Sequence, residues 1–171
     1  AAMQRLQSLD KPTIAMIRGY CLGGGLNIAN LCDLRIAAED ARFGIPAARM
    51  GLGYRAGAMK NLVDLVGPAF AREIMITARQ FSAAEALRMG LVHKVVAVAE
   101  LEAATRQYCE MIAANAPLTI RAARRVIREV TRSVYDEAAC RAWVKECFES
   151  EDYAEGRRAF MEKRKPVFKG R

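Results

Sequence analysis

After Lys11-Pro12, the run Thr13 to Arg18 (TIAMIR) is short, apolar and partly β-branched, and Gly19 closes it, which predicts a buried strand. Gly23 to Cys32 reads as a helix whose first turn is glycine, and Leu34 to Ala38 as a second strand. Strand, glycine turn, helix and strand in that order predict a βαβ unit of an α/β fold with parallel pairing. From Gly57 the apolar spacing becomes helical. KNLVDLVG ends at Gly67-Pro68, PAFAREIMITA follows, and SAAEALRMG carries Ser82 as N-cap, Glu85 as its capping-box partner and Gly90 as the stop. LVHKVV then predicts a short strand. Glu100 to Asn115, Leu118 to Arg132 and Asp136 to Ser150 have helical spacing, and a basic tail ending EKRKPVFKGR follows. No internal repeat or low-complexity linker interrupts this order.

Composition narrows the class. The 171 residues are 53% apolar, enough for a domain with a real core. No apolar run approaches membrane-spanning length, and AAMQRLQSLDK lacks the apolar centre of a signal peptide, so the expected compartment is the cytoplasm. AAMQRLQSL reads as the end of an amphipathic helix, which makes a fragment of a longer chain the expectation. Five cysteines without zinc-ligand spacing read as reduced packing residues, and no metal site is expected. The net charge of +8 favours a polyanionic partner, a class that spans nucleic acid, anionic lipid and phosphorylated cofactors.

The chemistry centres on GYCLGGGLNIANLCD. A phosphate loop of the Walker type needs Gly-Lys-Ser/Thr at its end, and GGGLNIAN has none. GLGYRAG at Gly51, Gly53 and Gly57 imitates a dinucleotide fingerprint, but its spacing is one residue too long and Pro46 and Arg49 stand where the preceding strand should be. An oxyanion hole remains: glycine lets a bulky acyl group approach a helix N-terminus whose N–H groups carry partial positive charge. The structural alternative is that the glycines allow close packing of helix on sheet.

The wider stretch KPTIAMIRGYCLGGGLNIANLCDLRIAAEDARFGIPAARMGL resembles the signature region of the crotonase superfamily, the enoyl-CoA hydratase/isomerase family. The resemblance continues through RQFSAAEALRMGLVHKVV to AFMEKRKPVF and covers essentially the whole chain. It implies the C-terminal part of a crotonase (ClpP/crotonase-like) ββα spiral over residues 1–97, and a helical C-terminal trimerisation region over 98–171. It implies an acyl-CoA thioester as substrate, no further cofactor, a place in fatty acid metabolism, and a homotrimer or dimer of trimers.

By the same resemblance, Gly24 is the middle glycine whose N–H meets the thioester oxygen, flanked by Gly23 and Gly25 at the acyl group. The second donor belongs to an upstream loop with no counterpart in this sequence. Hydratases of the family carry glutamates at the positions of Asn27 and Ala47, and the pair activates the water that adds to the double bond. Neither residue here exchanges a proton at neutral pH, so the expected reaction is isomerisation, decarboxylation or C–C lysis rather than hydration. Tyr54, Arg49 and Arg55 are candidate replacements, each with a plain alternative: Tyr54 as a cap of the next helix, the arginines as solvated or ion-paired. Phe160 and Lys163 match positions that reach the adenine and phosphates of CoA. His93, the sole histidine, is expected to be structural. Arg121, Arg124, Arg125, Arg128 and Arg132 share much of one helix face, but without aromatic interleaving a solvated or subunit-facing surface is expected over nucleic acid. A non-catalytic CoA-binding homologue and an RNA-binding member of the family are the remaining alternatives.

Overall fold

A computed structural model describes residues 2–171. The chain folds as two compact units. The first runs through Leu9 and resumes over Thr13–Arg106; the second comprises Asp10–Pro12 and Gln107–Arg171.

The first unit holds helix α1 (Ala2–Gln7), strands β1 (Ile14–Ile17) and β2 (Tyr20–Leu22), helix α2 (Gly24–Leu31), strands β3 (Leu34–Ala38) and β4 (Arg42–Gly44), and helix α3 (Ala56–Thr77). Strand β5 (Phe81–Ser82), helix α4 (Ala83–Arg88) and strand β6 (Lys94–Val96) complete it. β1, β3 and β6 form one parallel sheet; β2 and β4 pair in parallel in a second sheet, which β5 joins antiparallel. The chain therefore winds twice through the same sequence of moves. β1, β2 and α2 make one turn; β3, β4 and α3 make the next. Gly19, at φ 61°, lets the chain leave one sheet for the other within two residues, and its carbonyl accepts the Arg42 N–H at 2.8 Å. This is a ββα spiral. β2 and β4 are additions to the single βαβ unit that the pattern predicts, and the strand expected over LVHKVV is confined to Lys94–Val96.

Side chains lock the turns. Asp33 accepts from the Thr13 N–H (2.7 Å) and hydroxyl (2.8 Å), tying the start of β3 to that of β1. α3 breaks at Gly67 (φ 71°, ψ 167°), and Pro68 opens the second half where its missing N–H is harmless. The expected capping box is present: Ser82 Oγ accepts from the Glu85 N–H, and Glu85 accepts from the Ser82 N–H at 2.8 Å. Those bonds to Ser82, with Arg79 donating at 2.9 Å, hold the pKa of the Glu85 carboxyl down to about 2. Leu26 of α2, Phe43 of β4, Leu62 and Ile74 of α3 and Phe81 of β5 are fully buried in one core. Each is worth roughly 1.5–3 kcal/mol of transfer free energy.

Gly44 is where β4 and the backbone entering β5 meet most tightly. A Cβ at this position would lie 2.9 Å from the Arg79 carbonyl oxygen and 3.5 Å from Gln80 Cα, both backbone atoms. Gly44→Ala is therefore expected to destabilise the chain by about 1–3 kcal/mol. A melting temperature indistinguishable from the unsubstituted chain would contradict this packing.

In the second unit, helix α6 (Pro117–Val130) packs on α7 (Glu137–Phe148), and α7 on α8 (Glu151–Met161); α5 (Leu101–Ala113) carries the chain across the division. α8 occupies residues that the apolar spacing assigns to the tail. It starts cleanly because Ser150 caps it, accepting the Tyr153 N–H at 3.0 Å. The segment beyond it is exposed but pinned. Asp152, 3% exposed, accepts from the Lys169 (2.6 Å) and Gly170 (2.8 Å) amides. Glu155 accepts both arms of the Arg164 fork at 2.6 and 2.9 Å and the Val167 N–H at 3.0 Å, which brings its pKa down to about 2. Among the described residues no helix is long and apolar enough to cross a membrane.

Candidate functional site

Gly23 sits ahead of α2 at φ 51°, ψ −110°, a conformation open only to glycine. Its N–H donates to the Gly44 carbonyl at 2.9 Å, and its own carbonyl accepts the Asn27 N–H at 3.0 Å. The glycine turn is thus bolted to the end of β4 before the helix begins. Gly24 is the first residue of α2, so its N–H has no acceptor within the helix. Gly24 and Gly25 are exposed, and a Cβ on either would meet nothing within 4 Å. The first N–H groups of a helix carry the positive end of its dipole, and an exposed glycine there puts no side chain in the way of an anionic oxygen.

The other sequence candidates of this unit lie on neighbouring elements. Ala47 belongs to the 3-10 helix Pro46–Met50 that follows β4, and a Cβ on Gly23 would come within 3.9 Å of Pro46 Cδ, so this helix starts beside the glycine turn. Ala47 is 4% exposed, and its carbonyl accepts the Leu52 N–H at 3.0 Å. Asn27 is half-buried on α2, three residues from Gly24 and therefore on its side of the helix. Its Nδ2 approaches only the weak acceptor Met3 Sδ, at 4.0 Å. Tyr54 packs half-buried against the core, and burial pushes its phenol above the ordinary value. It does not cap α3: Arg55 holds that position, with no side-chain bond to the helix. Arg49 and Arg55 are exposed.

Phe160 and Lys163 lie in the second unit. Phe160 is 82% exposed on α8, at the edge of an open apolar groove of about 920 Å3 that Val126, Phe148, Tyr153 and Phe168 also line. Lys163 follows α8 in the left-handed region (φ 52°), where the chain reverses into the pinned tail. Of the α6 arginines, Arg121 pairs with Glu146, and Arg125 pairs with Asp10 at 2.7 Å while lying over the Trp143 ring. Just past the helix, Arg132 pairs with Glu129 at 2.8 Å.

His93 is occupied structurally. Its Nδ1 accepts the Arg35 backbone N–H at 3.1 Å, and the His93 backbone N–H donates to the Arg35 carbonyl at 2.9 Å. Desolvation, and then the nearby Arg35 charge, hold its pKa below the ordinary histidine value. The five cysteines are free thiols, with Cys21 and Cys140 buried; burial raises the Cys21 thiol to about 11. Among the described residues no cluster of three or more His, Cys, Asp or Glu side chains could hold a metal ion.

A family model for enoyl-CoA hydratase/isomerase matches residues 1–171. The chain belongs to that family. Its fold is the crotonase fold, and the family's solved structures superpose on it closely. An enoyl-CoA hydratase/isomerase family protein from Hyphomonas neptunium matches 99% of this chain and 65% of its own at a TM-score of 0.94 and 37% identity. An enoyl-CoA hydratase from Bacillus anthracis matches 99% of this chain and 66% of its own at 0.89 and 36%. Among curated relatives, the short-chain-enoyl-CoA hydratase of Clostridium acetobutylicum is 39% identical over 95% of this chain, and the carnitinyl-CoA dehydratase of Salmonella typhi 37% identical over all of it. The chain spans 63% of the length of the first and 68% of the second.

Two residues that hold the glycine turn and its helix were not singled out from the sequence: Gly44 and Arg35. Gly44 carries a signal, a glycine between Phe43 and Ile45 at the end of a strand, where backbone must approach backbone. Arg35 also carries one, a charge inside the otherwise apolar strand LRIAA.

Proposed function

We propose that this chain binds an acyl-CoA thioester and stabilises its enolate through the Gly24 N–H. The observation that carries the reading is the exposed glycine at the first position of α2, whose N–H has no acceptor within the helix and which has open space where a side chain would stand, with the glycine turn fixed behind it. When a proton leaves the carbon next to the thioester carbonyl, negative charge moves onto the carbonyl oxygen. A donor aimed there in advance lowers that barrier by about 3–4 kcal/mol, and the helix dipole of α2 adds in the same direction. Gly23 and Gly25 leave room for the acyl chain. Phe160 and Lys163 supply an aromatic surface and a cation suited to the adenine and phosphates of CoA. Acyl-CoA is then the substrate, no further cofactor takes part, and the working assembly is a trimer or a dimer of trimers.

The reaction class follows from what stands beside Gly24. Asn27 and Ala47 offer neither a base nor an acid, so water addition by a carboxylate pair is replaced by isomerisation, decarboxylation or C–C lysis. Tyr54, whose phenol stays protonated at neutral pH, is the group nearest in chemistry to a proton donor. A panel of enoyl-, malonyl-type and hydroxyacyl-CoA thioesters tests this. Turnover of a member other than by hydration supports the proposal. Hydration of crotonyl-CoA at rates ordinary for hydratases overturns the reaction class, and tight binding without any turnover makes the chain a CoA-binding homologue instead.

A further inference from the structure

Arg35 is 2% exposed, yet the hydrogen bonds its side chain makes all go to backbone carbonyls. Nε donates to the Leu91 carbonyl at 2.6 Å, and Nη1 to those of Cys32 at 2.6 Å and Ala29 at 3.4 Å. Ala29 lies in the last turn of α2 and Cys32 caps it, so both carbonyls stand at the negative end of the helix dipole; that of Ala29 also accepts the Cys32 N–H at 3.2 Å. Leu91 lies on the segment entering β6. A buried cation is costly unless something offsets it, and here the offset is the end of one short helix, the backbone ahead of a strand and the nearby Asp33 carboxylate.

Both ends of α2 are therefore anchored. The Gly23 N–H to Gly44 carbonyl bond fixes the first, and the Arg35 fork fixes the second. The helix has eight residues, about 12 Å of axis, so freeing the far end lets the whole rod tilt and turns the direction of its first N–H groups. A hydrogen bond to a developing oxyanion is steeply sensitive to that direction. We propose that Arg35 is a positioning residue that sets the aim of the Gly24 N–H by holding the opposite end of α2. The proposal rests on the reading of Gly24 as the thioester-oxygen donor, and adds a residue that touches neither substrate nor reacting atoms.

The test uses the full chain and butyryl-CoA labelled with 13C at the thioester carbonyl, read by difference infrared spectroscopy at saturation. An aimed donor lowers the carbonyl stretching frequency of the bound thioester relative to the free one. Arg35→Gln, which keeps one donor but loses the charge and the fork, is expected to lose most of that downshift while affinity for butyryl-CoA holds. Arg35→Lys keeps the charge but cannot bridge Leu91 and the α2 carbonyls together, and is expected to show an intermediate shift. Circular dichroism establishes that each variant is folded; if Arg35→Gln is not, Arg35→Lys decides. A folded variant with the full downshift overturns the Arg35 role alone, as does a shift lost only in step with affinity. No downshift in the unsubstituted chain overturns the Gly24 reading itself, and the role of Arg35 falls with it.

Discussion

Gly24→Pro is expected to slow exchange of the α-proton of an acyl-CoA thioester in deuterated water by about 10²- to 10³-fold while leaving the fold intact. Proline removes the N–H and nothing else that the helix needs. Gly24 is the first residue of α2, where the amide has no intrahelical acceptor and the fixed φ of proline suits helix entry. The added Cβ enters open space, since at this position it meets nothing within 4 Å. The residue before proline is restricted to extended conformations, and Gly23 at φ 51°, ψ −110° occupies the mirror image of one, which glycine tolerates. The substitution thus separates the donor from the scaffold more cleanly than a larger side chain would. Proton exchange monitored by NMR, beside a thermal melt, reads both quantities. Exchange at the unsubstituted rate, in a variant that melts normally, would remove Gly24 from the chemistry.

The elements that sequence pattern foretells are those whose information is local. β1, α2 and β3 follow from contiguous apolar runs bounded by glycine and charge, the break in α3 from Gly67-Pro68, and the start of α4 from Ser82 and Glu85. β2 and β4 are three residues each, too short for alternation to register, and exist because the parallel register Tyr20–Arg42 to Leu22–Gly44 pairs them across the intervening helix and strand. α8 escapes for a different reason. Its sequence EDYAEGRRAFM is polar with a central glycine, so little apolar spacing marks it. The same division holds at the site. The glycine run is visible as a possible anion cradle, and only resemblance to a family turns it into a thioester donor. What holds it, the Gly44 carbonyl and the Arg35 fork, depends on hydrogen bonds between residues far apart in the chain and has no local pattern.

The reverse experiment adds what the site lacks. Asn27→Glu combined with Ala47→Glu is expected to confer crotonyl-CoA hydration about 10²- to 10⁴-fold above the unsubstituted chain, followed as loss of the conjugated enoyl absorbance. The two positions are already carried by elements that meet at the glycine turn, α2 and the 3-10 helix Pro46–Met50. Two carboxyl groups sharing a partly desolvated site repel, so one ionises and serves as base while the other stays protonated and serves as acid. Either single substitution provides only half of that pair and is expected to give far less. Stability falls unevenly. Asn27 is half-buried beside Met3 and accepts a carboxylate at modest expense, whereas Ala47 is buried and a glutamate there must desolvate. The double variant should therefore melt below the unsubstituted chain, and rates are compared at a temperature where both are folded. If the unsubstituted chain hydrates crotonyl-CoA as fast as the double variant, Asn27 and Ala47 do not mark an absent acid–base pair. If the folded double variant gains nothing, the two side chains do not converge on the water-binding face of the Gly24 site.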